Sequence, residues 1–264
     1  MGSTMSSTNF SDLTNKNVVV VGGNGLIGQA VCRGFAEVGA HLILADAKKN
    51  SAFLQSLRKT NATVDFVSFD ITSEKKVTTT IATIIATHGP IDVFINCSWP
   101  RTADWSLNVE TVPYSSVKKN LTDHLGGYYH CTQQVAMHMK LQKKGSIINF
   151  GSIYGVVGPT FPIYEGTNMS SPSAYALIKG GIIMMTKYMA SYFGPYGVRV
   201  NCVSPGGVYR NEPEEFVKKY AKLTPLGRMA TADDLVMPVL FLASDGSRYV
   251  TGHNLLVDGG WTIH

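Results

Sequence analysis

The chain has 264 residues, of which 44% are hydrophobic and 16% charged, and its formal net charge is +5. This length is enough for one large α/β domain with a sizeable buried core, or for two small ones. The lysines occur in scattered pairs between acidic or apolar stretches, a pattern that indicates solvated faces and not a nucleic-acid-binding stripe. No apolar run reaches the length of a membrane span, so neither nucleic acid nor a membrane is an expected partner.

The cysteines and the first residues bear on the cellular compartment. Four widely separated cysteines lack the spacing of a metal site, namely Cys32, Cys97, Cys131 and Cys202. We expect them to be buried thiols in a reducing compartment and expect no bound metal. Residues 1–10 are mostly small and polar, which predicts a disordered tail or one of artificial origin, followed by a single domain over residues 11–264. With no apolar signal segment after these residues, we expect a cytoplasmic protein.

Strand patterns and helix patterns alternate along the whole chain. The predicted strands cover residues 17–21, 41–45, 64–69, 91–96, 146–150, 199–204 and 254–257. The predicted helices cover residues 28–38, 74–88, 117–140, 175–193 and 233–243. This alternation predicts the α/β class, specifically a single-domain Rossmann-type doubly wound parallel sheet with helices on both faces.

A glycine-rich loop separates the first predicted strand from the first predicted helix. Its sequence is Gly22-Gly23-Asn24-Gly25-Leu26-Ile27-Gly28. Glycines here let the backbone turn sharply and approach a pyrophosphate, which then lies at the helix N-terminus. Asp46 follows at the end of the second strand, at the spacing where a carboxylate binds the ribose hydroxyls. We therefore expect NAD as the cofactor and NADP as the less favoured alternative, although Lys48 and Lys49 weaken that preference.

Tyr175 and Lys179 lie one turn apart in a predicted helix and share one of its faces. A free phenol, with a pKa of about 10, is a poor proton donor and acceptor near neutrality. A neighbouring ammonium stabilises the phenolate and brings the group into a useful range. The pair therefore predicts proton transfer at a carbonyl or alcohol oxygen.

In this order along the chain, these motifs resemble the short-chain dehydrogenase/reductase family. The resemblance runs from Lys16 to Trp261 and includes the segments Asn149-Phe150-Gly151-Ser152 and Asn201-Cys202-Val203-Ser204-Pro205-Gly206. It implies that Ser152 hydrogen-bonds the substrate carbonyl, that Tyr175 is the acid/base, and that Lys179 holds the nicotinamide ribose. It also implies further cofactor contacts by Asp70, Ile71, Asn96, Pro205, Gly206 and Val208. The family usually forms dimers or tetramers, which implies a homodimer or homotetramer paired through the long helix around His130 and the Tyr175 helix.

The chain departs from the family pattern at three points. After the fourth strand it has Asn96-Cys97-Ser98-Trp99 where the family usually has Asn-Asn-Ala-Gly, so Trp99 should reshape the wall beside the cofactor. The spacing of the glycine loop is more similar to the extended branch of the family. The asparagine that completes the family's proton relay aligns with either His124 or Asn120, and we favour His124 because a histidine titrates near neutrality.

Two segments near the predicted site are candidates for substrate selection. Residues 154–171 form an insertion between Ser152 and Tyr175, and residues 208–228 are predicted to form a helical lid. The expected substrate contacts are Trp99, Arg101, Tyr154, Tyr164, Tyr209 and Arg210. The aromatic and polar side chains suit a hydroxylated, sugar-like molecule, and each arginine suits an anionic group.

Several short stretches are similar to a narrower group, the flagellin-modification oxidoreductases of bacterial nonulosonic acid (legionaminic acid) gene sets. They include Trp99-Pro100-Arg101, Ser152-Ile153-Tyr154-Gly155 and Leu226-Gly227-Arg228-Met229. Our main hypothesis is an NAD(P)-dependent enzyme that interconverts an alcohol and a ketone on a sugar-like small molecule. Two alternatives stay open: an epimerase or dehydratase that retains NAD, and a catalytically weak regulatory protein that binds the cofactor.

Overall fold

The computed structural model describes residues 7–60 and 62–263. Its first strand, β1 (Asn17–Val21), contains four consecutive valines, all almost fully buried. Because successive side chains of a strand point to opposite faces, Val19 and Val21 enter one hydrophobic core while Val18 and Val20 enter another. A strand that is apolar on both faces is typical of a parallel sheet covered by helices on both sides.

Six more strands complete the sheet: β2 (His41–Asp46), β3 (Val64–Ser68), β4 (Val93–Asn96), β5 (Gly145–Phe150), β6 (Val198–Pro205) and β7 (Asn254–Val257). All neighbouring pairs are parallel, in the order β3-β2-β1-β4-β5-β6-β7. The chain reverses its direction of winding between β1 and β4, and ligands of such sheets bind at the carboxyl ends of the strands near this point. The predicted Rossmann-type fold is confirmed.

The described residues form eight α-helices: α1 (Leu26–Glu37), α2 (Ser51–Leu57), α3 (Glu74–His88), α4 (Tyr114–Asn120), α5 (Gly127–Gln142), α6 (Ser173–Phe193), α7 (Glu214–Leu223) and α8 (Val236–Ala243). The core on one face contains residues of α3, α5 and α6, and the core on the other contains residues of α1, α2 and α8. A third, smaller cluster lies beyond the carboxyl edge of the sheet, where it joins α7 to the insertion. This cluster builds the outer wall of the candidate site.

The predicted helix over residues 117–140 is two helices. A π-helical segment, Leu121–Gly126, separates α4 from α5. At the start of α5, a Cβ atom on Gly127 would lie only 2.7 Å from the carbonyl oxygen of Ile71, so a glycine is needed where the helix meets that backbone. Hydrophobic periodicity does not reveal a wider turn of this kind, and such π-turns are frequent at functional sites.

Other boundaries also differ from expectation. Helix α2 was not predicted because its seven residues are too few to show a clear period, although the Asn50 side chain caps its start by accepting a bond from the amide of Phe53 at 3.1 Å. Within residues 208–228, where a helical lid is predicted, the structure has the shorter helix α7. Residues 1–6 of the expected tail lie outside the described residues, whereas Ser7–Leu13 forms 3-10 turns and Phe10 packs against a core. Among the described residues, no helix is long and apolar enough to cross a membrane.

Candidate active site

One large cavity of about 960 Å³ opens at the carboxyl edge of the sheet. Its walls come from the loops that follow the strands, from the insertion between β5 and α6, and from the lid helix α7. This volume is near the upper limit of about 300–1,000 Å³ for small-molecule sites. The cavity therefore has room for more than one small ligand, or for one large ligand.

The glycine loop forms the floor at one end of the cavity. Gly22 has a positive φ of 76°, and a Cβ atom there would lie 2.7 Å from the backbone of Ser98. At Gly28 a Cβ atom would lie 2.1 Å from the carbonyl oxygen of Gly22, so only glycine lets α1 pack this closely on the loop. Gly25 caps α1 without a side-chain bond, which leaves the first amides of the helix free for an anion.

Asp46 lies at the end of β2, next to this loop. Its two carboxylate oxygens accept bonds from the amides of Asn24 at 3.0 Å and Lys48 at 3.2 Å, which fixes the side chain at the cavity wall. The side-chain oxygen of Asn24 is buried and has no partner among the described residues. With the uncapped start of α1 and the tight glycine cradle, these features fit a dinucleotide.

Ser152, Tyr175 and Lys179 meet deeper in the same cavity. Ser152 follows β5, while Tyr175 and Lys179 lie on one face of α6. The ammonium of Lys179 donates to the carbonyl oxygen of Phe150 at 2.8 Å and lies 5.6 Å from the centre of the Tyr175 ring. The expected convergence of a hydroxyl, a phenol and an ammonium is therefore present.

Burial governs the protonation of Lys179 and Tyr175. It lowers the pKa of Lys179 from 10.5 to about 8. Burial also raises the pKa of Tyr175 above its usual value, although interaction with the Ser152 hydroxyl and the positive charge of Arg210 oppose the rise. The sequence predicted that Lys179 would lower the pKa of Tyr175. In the structure desolvation outweighs the bond with Ser152 and the charge of Arg210 and raises the pKa of the phenol, so Tyr175 is protonated near neutral pH.

Two tryptophans surround the phenol of Tyr175. The ring centres of Trp99 and Trp105 lie 6.2 Å and 6.1 Å from that of Tyr175, and the two tryptophans meet edge to face. Trp99 thus lies in the cavity wall beside Tyr175, and its predicted place beside the cofactor stays a prediction. Trp105 was not predicted, because it lies in an irregular loop whose sequence shows no periodic signal.

His124 and Asn120, the two candidates for the proton relay, occupy different surroundings. Asn120 is buried, and its side-chain amide is occupied by bonds with Thr102 and Ser116. His124 lies in the π-helical segment, fully buried, and neither ring nitrogen has a partner among the described residues. Burial, helped by the positive charge of Lys179, holds the pKa of His124 well below its usual range.

Most of the predicted site residues line the cavity. Those of the cofactor side are Gly22, Asn24, Gly25, Leu26, Ile27, Gly28, Asp46, Asp70, Ile71, Pro205, Gly206 and Val208, and those of the substrate side are Trp99, Arg101, Tyr154, Tyr164 and Arg210. Four predicted residues do not reach the cavity surface: Asn96, Asn120, His124 and Tyr209.

Each of these four has a physical reason for its position. The side-chain oxygen of Asn96 accepts bonds from the amide and hydroxyl of Ser98, so it acts behind the wall. Asn120 is held by its own polar neighbours, and His124 lies beneath the catalytic residues. Tyr209 follows the backbone bridge between Val208 and Ala230. Its side chain is 46% exposed and does not line the cavity, whereas Val208 does.

Further lining residues were missed by sequence analysis. They include Ser106, Ser171, Glu212, Phe216, Tyr220 and Met229. The hydroxyl of Tyr220 accepts a bond from the amide of Gly207 at 2.6 Å and ties the lid to the loop after β6. Ser171 is buried, and its hydroxyl has no partner among the described residues. Four of the six belong to residues 154–171 and 208–228, the two segments predicted to select the substrate. No local pattern singles out the individual residues, because only the tertiary fold brings them to the cavity.

A separate cluster of titratable side chains lies at the amino ends of the strands. Ligand atoms of His41, Asp65 and His88 all lie within 4.8 Å of one another. A hydrogen bond of 2.9 Å joins His41 to Asp65, and Asn17 contacts the other ring nitrogen of His41 at 2.8 Å. Since the cavity lies at the opposite edge of the sheet, this cluster is not part of the candidate active site.

A Rossmann-type sheet with a dinucleotide cradle and a Ser-Tyr-Lys group defines a class of nucleotide-dependent oxidoreductases. A family model described as enoyl-(acyl carrier protein) reductase matches residues 24–262. The chain belongs to the short-chain dehydrogenase/reductase family and is an NAD(P)-dependent oxidoreductase.

Individual relatives match over nearly their whole length. The chain is 34% identical to Post-translational flagellin modification protein A of Campylobacter coli, with 95% of this chain and 100% of the relative covered. It is 32% identical to Probable galactose dehydrogenase GalD of Rhizobium meliloti, with 97% and 99% covered. A short-chain dehydrogenase of Leptospira borgpetersenii, solved with bound NAD+, is 36% identical with a TM-score of 0.86, and 99% of each chain is covered.

Proposed function

We propose that this oxidoreductase interconverts a secondary alcohol and a ketone on a polar, sugar-like substrate, with NAD as its cofactor. The observation that carries the proposal is the meeting of Ser152, Tyr175 and Lys179 in a cavity whose other side is built from tyrosines, tryptophans and polar side chains. Aromatic faces pack against the C–H faces of a sugar, while hydroxyl and amide groups bond its hydroxyls. The name of the galactose dehydrogenase relative supports the same substrate class.

The chain's own residues carry out the proton chemistry. When bound, the nicotinamide supplies or accepts the hydride. In reduction, the protonated Tyr175 donates a proton to the substrate oxygen while the Ser152 hydroxyl stabilises the charge that develops there. In oxidation, Tyr175 must first lose its proton, so alcohol oxidation should become faster as the pH rises, and the raised pKa of the phenol moves this increase to higher pH. Trp99 and Trp105 pack around the phenol ring and narrow its exposure to solvent.

The preference for NAD rests on Asp46. Backbone amides hold its carboxylate at the cavity wall, where it can accept bonds from ribose hydroxyls and repel a 2′-phosphate. Lys48 lies beside it, but its backbone, and not its ammonium, makes the contact with Asp46. We expect a lower KM for NAD than for NADP.

We also propose that the enzyme makes bacterial surface sugars in the cytoplasm; its similarity to a relative named for the modification of flagellin, a surface protein, supports this proposal. We further propose a homodimer or homotetramer. One stripe of α6 exposes four large side chains, Leu177, Met184, Tyr188 and Tyr192, and α5 exposes Tyr129, Met137 and Leu141 nearby. Exposed apolar side chains on two adjoining helices are typical of subunit interfaces.

The proposed function is tested with Tyr175→Phe and a panel of amino sugars, sugar phosphates and nucleotide sugars. Reduced nicotinamide is followed spectrophotometrically with NAD and NADP in parallel. We expect turnover to fall by about 10²–10⁴-fold, the range for loss of an acid/base group, while the Kd for NAD stays the same. Retained turnover in the variant would refute the role of Tyr175. NAD that stays bound while substrate changes without net redox would indicate an epimerase or dehydratase instead.

A further inference from the structure

Two guanidinium groups share one tryptophan at the substrate end of the cavity. The guanidinium carbon of Arg101 lies 4.6 Å from the centre of the Trp99 ring, and that of Arg210 lies 5.0 Å from it. The two cations are therefore no farther apart than the sum of these distances, although like charges repel. Stacking on an indole gives each guanidinium a fixed plane and compensates part of that repulsion.

The charge of this pair is only partly neutralised. Glu212 accepts a bond from the Nε atom of Arg210 at 3.2 Å and from its backbone amide at 2.7 Å. Within the part of the chain that the structure describes, the two terminal nitrogens of Arg210 have no acceptor and are free to donate. In residues 7–60 and 62–263, Arg101 forms no ion pair with a carboxylate. One net positive charge with free forked donors thus faces the cavity, which suits an oxyanion.

The pair lies close to the reacting atoms. The Trp99 ring is 6.2 Å from the Tyr175 ring, and the charge of Arg210 reaches the phenol strongly enough to oppose the rise in its pKa. An oxyanion held between Arg101 and Arg210 would place a carbon a few bonds away beside Ser152 and Tyr175. The cofactor's own phosphates are expected at the start of α1, at the other end of the cavity.

We propose that Arg101 and Arg210, braced on Trp99, bind an anionic group of the substrate, so that the enzyme selects an anionic sugar derivative over a neutral sugar. This inference rests on the proposed oxidoreductase function and names the substrate class of that same site. Phosphate and carboxylate can each accept two hydrogen bonds from the planar fork of a guanidinium, so both satisfy the geometry. A neutral sugar would leave the two cations without their partner.

Binding to protein saturated with NADH tests the proposal without turnover, because the hydroxyl groups of the probes then have no oxidant. The bound cofactor also blocks its own phosphate site. Calorimetric titrations use D-glucose 6-phosphate, D-gluconate, inorganic phosphate and neutral D-glucose. We expect an anionic probe to bind at least 10-fold more tightly than glucose. The double variant R101Q/R210Q should lose this advantage while its Kd for NAD and its melting temperature stay unchanged. The control is R33Q, which removes an exposed arginine outside the cavity.

The outcomes separate the two proposals. Tighter binding of the 6-phosphate or of gluconate identifies phosphate or carboxylate as the group, and added salt should weaken that binding. Equal binding of anionic probes by wild type and R101Q/R210Q would overturn the proposed anion site at Arg101 and Arg210. So would a wild type that binds no anionic probe. Tyr175→Phe should still bind the anionic probe. If that variant also kept its turnover, the catalytic role of Tyr175 would be refuted, while the anion site at Arg101 and Arg210 would still be supported.

Discussion

His124 is the residue whose surroundings say most about the proton path. Its imidazole is buried beside Lys179 and Tyr128, yet both ring nitrogens have no partner in the described part of the chain. An unpaired buried polar group costs stability, so a site that keeps one invites a functional explanation. A neutral imidazole both donates and accepts, and through one water it can relay a proton towards Lys179.

Replacing His124 by phenylalanine separates a relay from a packing role. We expect His124→Phe to lower kcat by about 10–100-fold and to change its pH profile, because the ring keeps its volume but loses both nitrogens. His124→Asn should restore much of the rate, since an amide also donates and accepts. If the histidine only fills space, His124→Phe should leave kcat unchanged and raise the melting temperature. Steady-state kinetics between pH 6 and 10 together with thermal denaturation distinguish the two results.

Because Lys179 is buried, we expect the stability of the protein to depend on pH, and burial determines the direction of that dependence. Its pKa falls from 10.5 to about 8 in the folded protein, so between these values the unfolded chain binds more protons. The free energy of unfolding should therefore rise with pH in this window. The neutral form of Lys179 adds on the order of 3 kcal/mol to the free energy of unfolding above pH 10.5, relative to low pH. This gain is lost as the pH falls through 8.

The comparison with Lys179→Met isolates this contribution, because the four thiols and the buried tyrosines titrate in both proteins. The stability of wild type minus that of the variant should increase between pH 8 and 10.5 in urea denaturation of the cofactor-free protein. A difference that stays flat over this range would show that Lys179 is not desolvated as described. The variant should also lose turnover at every pH.

At the scale of elements, the lid helix α7 and the insertion depend on each other. Ile163 of the insertion and Phe216 of α7 are both at most 5% exposed and belong to the third hydrophobic cluster, apart from the two cores of the sheet. The ring of Tyr164 packs 5.4 Å from that of Phe216, and Lys219 donates to the carbonyl oxygen of Glu165 at 2.7 Å. The two segments therefore form one wall that can loosen without unfolding the sheet.

Phe216→Ala should loosen this wall selectively. A cavity left by a buried phenylalanine destabilises its surroundings by about 3–5 kcal/mol, but the loss falls on a small satellite cluster. We expect faster amide hydrogen exchange in residues 214–223 and 161–167, a higher KM for the substrate, and an unchanged Kd for NAD. Lys222→Ala, on an exposed position of the same helix, serves as the control. Uniformly faster exchange across the sheet would contradict a separate lid unit.

At the scale of the whole molecule, α6 serves two surfaces at once. Its inner face carries Tyr175 and Lys179 into the cavity, while its outer face exposes the apolar stripe proposed as a subunit interface. Dimerisation through this stripe would hold the catalytic helix in place from outside. Assembly and activity should then be linked.

A charged substitution in the stripe tests that link. Met184→Asp combined with Tyr188→Asp should shift the protein to a smaller species in sedimentation velocity, because two buried carboxylates cannot be compensated across a symmetric contact. We expect a lower melting temperature and lower activity in the dissociated form. Val109→Asp, on an exposed loop position, should leave the assembly unchanged. Wild type that sediments as a monomer would refute the interface.

Local sequence patterns were sufficient to predict much of the fold and of the candidate site. The valines of β1 predicted a doubly buried strand, the spacing of Gly22 to Gly28 and Asp46 predicted a dinucleotide loop, and the separation of Tyr175 from Lys179 predicted a shared helix face. Each depends on neighbours in sequence, because strand alternation, tight turns and helical spacing are local properties. The short helix α2 and the π-helical segment were not predictable, since neither leaves a periodic signal.

The sequence by itself determined the fold class, the glycine loop after the first strand and the residues proposed as catalytic, because these rest on short-range backbone rules and on contiguous motifs. Only the tertiary structure decided which distant side chains share the cavity. It brought Trp105 against Tyr175, placed Arg101 and Arg210 on one tryptophan ring, and turned Tyr209 away. It also set protonation, because the pKa values of Tyr175 and Lys179 follow from desolvation, which depends on how the whole chain packs around them.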